Sequence, residues 1–243
     1  MKTIKSKVWY LEIQREWWMS RYLENSQQPD EKHQQEESSK PQEISKQEES
    51  SKQVDYQRPE YSSGTKAPDS LLPEGFSVVE FSKPDIKNYL ELYRAVGSRY
   101  NWCDRLLMPK EELEQILQRN TTEICLLKYL EEPAGFVEFD KSTPGETEMV
   151  YFGLIEKFTG KKAGFPFLQW AINHVFEQGH KPEQGHALKQ RHSPEQGYAS
   201  KQVINRLWLH TCDLDHPAAL PLYQKAGFVI YNTETVDQPV IEL

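Results

Sequence analysis

Apolar positions along this chain recur with a helical or a strand period in some stretches and with none in others. FSVVEF from Phe76 reads as a strand, and PDIKNYLELYRAVG from Pro84 puts Ile86, Tyr89, Leu90 and Tyr93 on one helical face. PKEELEQILQ predicts a second helix, TEICLLKYL and PAGFVEFD a hairpin, and EMVYFGLI from Glu148 a third strand after the turn at Pro144 and Gly145. The second half then runs GFPFLQWAINHVFEQ (helix), VINRLWLHTC (strand), PAALPLYQKA (helix) and GFVIYN (strand). With a right-handed crossover this order makes the strands of Tyr151 and Trp208 parallel neighbours. The expected fold is α/β, a mixed and partly parallel central sheet flanked by helices.

Two stretches break the pattern. Asn25 to Gln53 is nearly free of apolar residues and repeats QEESSK at Gln35 and Gln47, so it cannot bury enough surface to offset its ordering entropy. With the Pro- and Ser-containing stretch that follows, residues 25–70 read as a disordered linker. PEQGHALKQ at Pro182 and PEQGYASKQ at Pro194 form a second low-complexity block, read as an insertion over 179–203 within a domain of 71–243. Without both blocks the core keeps roughly 150 residues, an ordinary length for one domain. The N-terminal residues VWYLEI, Trp17, Trp18 and Tyr22 are too apolar to stay free in water, so 1–24 is expected to dock on the core as an edge strand and a short helix.

Composition narrows the partners. Hydrophobic residues make up 37% of the chain, the net charge is −8 and the mean hydropathy is −0.77. A negative chain lacks the basic face that nucleic acid or an anionic membrane requires, so neither is an expected partner. Three widely spaced cysteines without a CxxC pair suit reduced thiols and a cytoplasmic location. No window is apolar enough for a spanning helix, and the N-terminus has no long apolar signal segment. His174, His180, His186 and His192 stand six apart, which matches no common zinc spacing, and no metal is expected.

The joint FTGKKAGFPFL, Phe158 to Leu168, follows a buried strand and opens a helix. Such a joint aims free N–H groups and the positive helix end at one point, which suits a phosphate. Pro166 gives up only an N–H that has no intrahelical partner. Gly160 and Gly164 are too close for a Walker loop, no hydroxyl follows a lysine, and no GxGxxG is present. A plain strand-to-helix turn with surface lysines is the other reading of the same residues.

Together, EMVYFGLIEKFTGKKAG and HTCDLDHPAALPLYQKAGF resemble the GNAT superfamily of N-acetyltransferases from about Phe76 to Asn232. Strand, (Gln or Arg)-x-x-Gly-x-(Gly or Ala) loop, helix, parallel strand and Asn-x-x-Ala-x-x-x-Tyr-x-x-x-Gly-Phe follow in that family's order. Ala219, Tyr223, Gly227 and Phe228 match, whereas Thr159, Lys162 and His216 stand at the positions of Gln or Arg, the first loop Gly and Asn. The resemblance implies a GNAT-like fold and an acetyl-coenzyme A site made by Phe152, Gly153, Leu154, Thr159, Gly160, Lys161, Lys162, Ala163, Gly164, Phe165 and His216. It implies Glu148 as the base that takes the ammonium proton, a main-chain N–H near Gly153 or Leu154 as oxyanion donor, and Tyr223 as the acid for the departing thiolate. Thr211, at a second position where the family keeps a base, cannot serve. Trp102, Asp104, Arg105 and His210 are the expected substrate side. The implied reaction is direct acetylation of a small-molecule or peptide amine by a monomer or homodimer. A catalytically inactive acyl-coenzyme A binder and an interaction protein are the alternatives.

Overall fold

The structure, a computed structural model, describes residues 2–26, 71–178 and 203–240. The linker read over 25–70 and the insertion read over 179–203 lie almost wholly outside the described residues. Among the described residues no helix is long and apolar enough to cross a membrane. Chain contacts separate Met1–Trp18 with Lys66–Leu243 from Met19–Thr65, and the described part of the latter is the remainder of one helix.

The elements follow as β1 (Lys2–Gln14), α1 (Arg15–Ser26), β2 (Phe76–Glu80), α2 (Ile86–Gly97), α3 (Asp104–Leu107), α4 (Lys110–Gln118), β3 (Thr122–Tyr129) and β4 (Glu132–Asp140). Then come β5 (Glu146–Leu154), a short 3₁₀ turn (Glu156–Phe158), α5 (Gly164–Glu177), β6 (Arg206–Cys212), α6 (Ala219–Lys225) and β7 (Val229–Val240). One mixed sheet results, in the order β2-β3-β4-β5-β6-β1-β7, with β5 and β6 parallel as the crossover requires. The mixed α/β fold with a partly parallel sheet is the expected class.

Strand alternation assigns the two faces. Tyr151 of β5 meets Tyr93 of α2 edge-on, with ring centroids 5.0 Å apart, whereas its neighbour Phe152 stacks on Phe167 of α5 at 5.1 Å. Tyr89, Leu92, Tyr93 and Val96 of α2 pack with Leu113 and Leu117 of α4 over Ile124 and Phe136. Burying each such side chain contributes about 1.5–3 kcal/mol. Asp85 caps α2 by accepting from the Asn88 N–H at 2.9 Å.

β1 corrects one expectation. It is not an edge strand, because it pairs antiparallel with β6 on one side and with β7 on the other. Its first half is polar and VWYLEI apolar, but neither pattern shows the partners, since ladder bonds are made by the backbone and do not register polarity. Buried side chains occur only from Ser6 onward, where Val8, Leu11 and Ile13 join the core. The polar half instead forms a ribbon with the end of β7, where Lys5 and Asp237 stand opposite each other and pair at 3.7 Å. Just after the strand, Arg15 donates to the carbonyls of Phe176 and Ile204 at 2.9 and 3.2 Å, closing the C-terminal end of α5.

Candidate active site

The parallel pair is short. β5 and β6 share register only at Glu146–Arg206, Thr147–Leu207 and Glu148–Trp208, although both strands continue past it. Arg206 clamps this closed end, bonding Glu146 at 2.9 Å and Glu12 of β1 at 2.6 Å. Directly beyond Glu148 the β4–β5 register slips, with Met149 opposite Phe139 and Tyr151 opposite Glu138, so Val150 is an extra residue. A bulge bends its strand and increases its twist. This bulge falls where β5 leaves β6, and ladder pairing between the two strands ends there.

The loop at the open end has the features of an anion site. None of the N–H groups from Gly160 to Phe165 has a backbone acceptor among the described residues, whereas the Thr159 N–H and hydroxyl both return to the Glu156 carbonyl, at 2.9 and 2.6 Å. Thr159 therefore shapes the turn. Gly160 has φ 77° and Lys162 has φ 60°. For lysine the left-handed backbone costs about 1–2 kcal/mol. Lys157 pairs with Glu132, Lys161 lies over the Tyr129 ring at 5.4 Å and Lys225 over Phe165 at 4.4 Å. Lys162 has no such partner among the described residues. Gly164 opens α5, and a Cβ there would meet Leu154 Cδ1 at an ordinary 3.6 Å.

Phe152, Gly153 and Leu154 lie on β5 past the last register pair, so their edge toward β6 has no strand partner. Tyr223 of α6 is buried, packs edge-on against Phe152 at 6.3 Å and bridges toward β5. Burial, then the charge of Asp215, keep its hydroxyl protonated by raising its pKa. His216 accepts from the Ala218 N–H through Nδ1 at 3.0 Å, in the turn that leads into α6.

On the other face Glu148 and His210 come together, Oε1 to Nδ1 at 3.6 Å, with the His210 side chain 46% and the Glu148 side chain 22% exposed. Glu148 raises the His210 pKa above the ordinary 6.5; burial opposes it, and Asp215 and Asp104 add to it. A raised value in the folded state means that this pair's contribution to stability is complete below about pH 6.5 and is lost as pH rises through the His210 titration. An NMR titration of His210 should therefore show a midpoint above 6.5 that drops in Glu148→Gln. An identical midpoint in the variant would disprove the coupling.

Trp102 donates from its indole to Asp215 Oδ1 at 3.1 Å. Asp215 Oδ2 in turn accepts from the Thr211 hydroxyl at 2.7 Å and the Cys212 N–H at 3.0 Å. Trp102 lies flat on Gly97, where an added Cβ would meet its ring at 2.3 Å. Asp104 begins α3 nearby. Arg105 is different: its guanidinium is buried, pairs with Glu138 and donates to the Tyr89 hydroxyl at 3.2 Å. It is part of a core ion pair, not an exposed side chain.

Two residues enter that sequence reading passed over. Asp215 lies inside the quoted HTCDLDHP segment and could have been singled out as the acid two residues past Asp213. Tyr10, opposite His210 in the β1–β6 register with ring centroids 6.0 Å apart, has no local signal. Its hydroxyl donates to Glu234, which is the first cause of a pKa raised to about 12.

No protein-family model matches the sequence, and no curated protein matches it. Among solved structures, a functionally unknown conserved protein from Staphylococcus epidermidis is similar at 11% identity over 96% of this chain, with a TM-score of 0.49. The present chain spans 61% of that protein. A GCN5-related N-acetyltransferase from Sphaerobacter thermophilus is similar at 12% identity over 98% of this chain and 54% of its own length, with a TM-score of 0.47. The ribosomal L7/L12 α-N-protein acetyltransferase RimL, solved with coenzyme A, is similar at 15% identity over 64% of this chain and 81% of its own, with a TM-score of 0.42. These are partial likenesses of overall fold; the strand order, the split pair and the loop are features of the chain itself.

Proposed function

We propose that the chain is an acyltransferase of the N-acetyltransferase type that moves an acetyl group from acetyl-coenzyme A to an amine. The observation that carries this reading is the parting of β5 and β6 beyond Glu148 and Trp208, beside a loop of N–H groups without backbone acceptors. Acetyl-coenzyme A would supply the acetyl group as an activated thioester. The residues present suit it, since Gly160 to Phe165 offer donors and Lys161 and Lys162 positive charge to a pyrophosphate. The unpaired edge of β5 at Gly153 and Leu154 offers a main-chain N–H to a carbonyl oxygen.

The incoming amine must lose a proton to attack. Glu148 takes it, and the half-exposed His210 beside it carries it onward to water. Tyr223, kept protonated by burial, gives a proton to the departing sulfur. Glu148, Asp104 and Asp215 all act on His210, so the acceptor side is negative and Trp102 adds an aromatic wall. A cationic amine of small size or at a peptide end matches that lining.

Calorimetry tests the coenzyme half of the reading: acetyl-coenzyme A should bind one per chain, and no heat of binding would leave only a scaffold with the acetyltransferase shape. In the same titration Lys162→Gly should bind with unchanged or tighter affinity, because it relieves the left-handed lysine at φ 60°. A loss beyond about tenfold, roughly 1.4 kcal/mol, would instead make Lys162 a phosphate ligand.

A further inference from the structure

On the α5 face of the sheet, away from Glu148, a second group of chemically capable side chains converges. Glu123 and Cys125 are two apart on β3 and so share a face. His174 of α5 is held flat between Trp170 at 4.6 Å and Phe139 at 6.1 Å, with interplanar angles of 18° and 24°. That stacking aims Nε2 at Glu123 Oε1, 2.7 Å away, with Cys125 Sγ 3.9 Å from the same oxygen. All three donor atoms lie within 4.8 Å of one another. Phe139 precedes Asp140, the register partner of Glu148, so alternation puts Glu148 on the opposite face.

Protons alone leave this cluster mismatched. Gln178 Nε2 stands 2.6 Å from the same His174 Nε2. If His174 carries a proton there, two donors face each other across that contact. If it does not, its lone pair faces the Glu123 oxygen. Turning the Gln178 amide over moves the conflict, because its Oε1 accepts from Lys141 Nζ at 2.7 Å and an amide nitrogen in that place would meet an ammonium. A cation between the Glu123 oxygen and the His174 lone pair removes their repulsion, and Gln178 Nε2 keeps Glu123 Oε1, 3.3 Å away, as its acceptor.

We propose that Glu123, Cys125 and His174 bind a divalent metal ion of the zinc class. Carboxylate, imidazole and thiolate are the donors such an ion takes at about 2.0–2.3 Å, which in a tetrahedron separates them by roughly 3.3–3.7 Å. The observed N···O of 2.7 Å and S···O of 3.9 Å bracket that spacing. Lys141 holds the other oxygen of Glu123 and so fixes which one faces the ion. The cysteine gives up its proton to solvent when the metal–sulfur bond forms. The side chains of Glu123 and His174 are 21% and 22% exposed, leaving a fourth position for water. The ion would tie β3 to the last turn of α5.

The test uses the full chain stripped with chelator and titrated with cobalt(II), then zinc(II). One equivalent of cobalt should produce a thiolate-to-metal charge-transfer band, displaced by zinc. Cys125→Ser, nearly the same shape, should abolish the band, while Cys103→Ser and Cys212→Ser should keep it. Histidines outside the described residues bind without a thiolate band, which separates them from the site. Zinc should also raise the melting temperature of the parent by several degrees and that of Cys125→Ser by none. Lys141→Met should weaken zinc by roughly tenfold or more, because nothing then orients the Glu123 carboxylate. No band in the parent, or a band that survives Cys125→Ser, would overturn the proposal.

Discussion

Glu148→Gln should lower acetyl transfer by roughly 10² to 10⁴ near neutral pH while leaving acetyl-coenzyme A affinity in place. The amide keeps the shape of the side chain and its position at the last register pair of β5 and β6, but it cannot accept the ammonium proton. Because the base is needed only while the amine is protonated, the deficit should shrink as pH approaches the pKa of the acceptor. Tyr223→Phe should also be slow with little change in coenzyme affinity, yet it should show no such recovery, since the thiolate still leaves without its acid. Full activity of Glu148→Gln at every pH would move the base to His210 or His216.

The largest effect on stability should come from Glu138→Gln. Glu138 is buried and accepts from Arg105 and, at 2.5 Å, from the Tyr89 hydroxyl. Arg105 lies with its charge over the Tyr151 ring at 5.2 Å and has little access to water. Removing the carboxylate charge strands a buried guanidinium, which costs about 3–5 kcal/mol. Chemical denaturation should report that loss with an unchanged slope. Arg105→Met combined with Glu138→Leu should recover most of it, because a buried pair and an apolar pair of similar volume are close in energy. If Glu138→Gln costs less than about 1 kcal/mol, water reaches the pair and Arg105 is open to substrate after all.

The same arginine shows where sequence reading stops. Asp104 and Arg105 are adjacent in YNWCDRLL and look equally exposed, but the short α3 turns Arg105 onto β4, 33 residues away, and that partner leaves no local mark. The order of elements from Glu148 to Phe228 was legible because period and turn residues act within a few positions of themselves. The split of β5 from β6 was only half legible: the crossover fixes that they are parallel, while the slip at Val150 depends on the β4 partner. β1 was misplaced for a similar reason, since VWYLEI read as an edge strand although β6 and β7 pair with it on both sides. The pairing of Glu148 with His210 was not legible as a pair, because it follows from Glu148 standing opposite Trp208, two residues before His210. The cluster of Glu123, Cys125 and His174 was hidden by 51 residues of separation between glutamate and histidine.

The central claim, acetyl transfer to an amine, is tested most directly by incubating the parent protein with acetyl-coenzyme A and a panel of cationic small amines and peptides. Free thiol and acetylated amine should appear in equal amounts with at least one acceptor, and Glu148→Gln should suppress both together. Binding of acetyl-coenzyme A with no acetylated product from any acceptor would contradict the claim and leave an inactive coenzyme-binding protein.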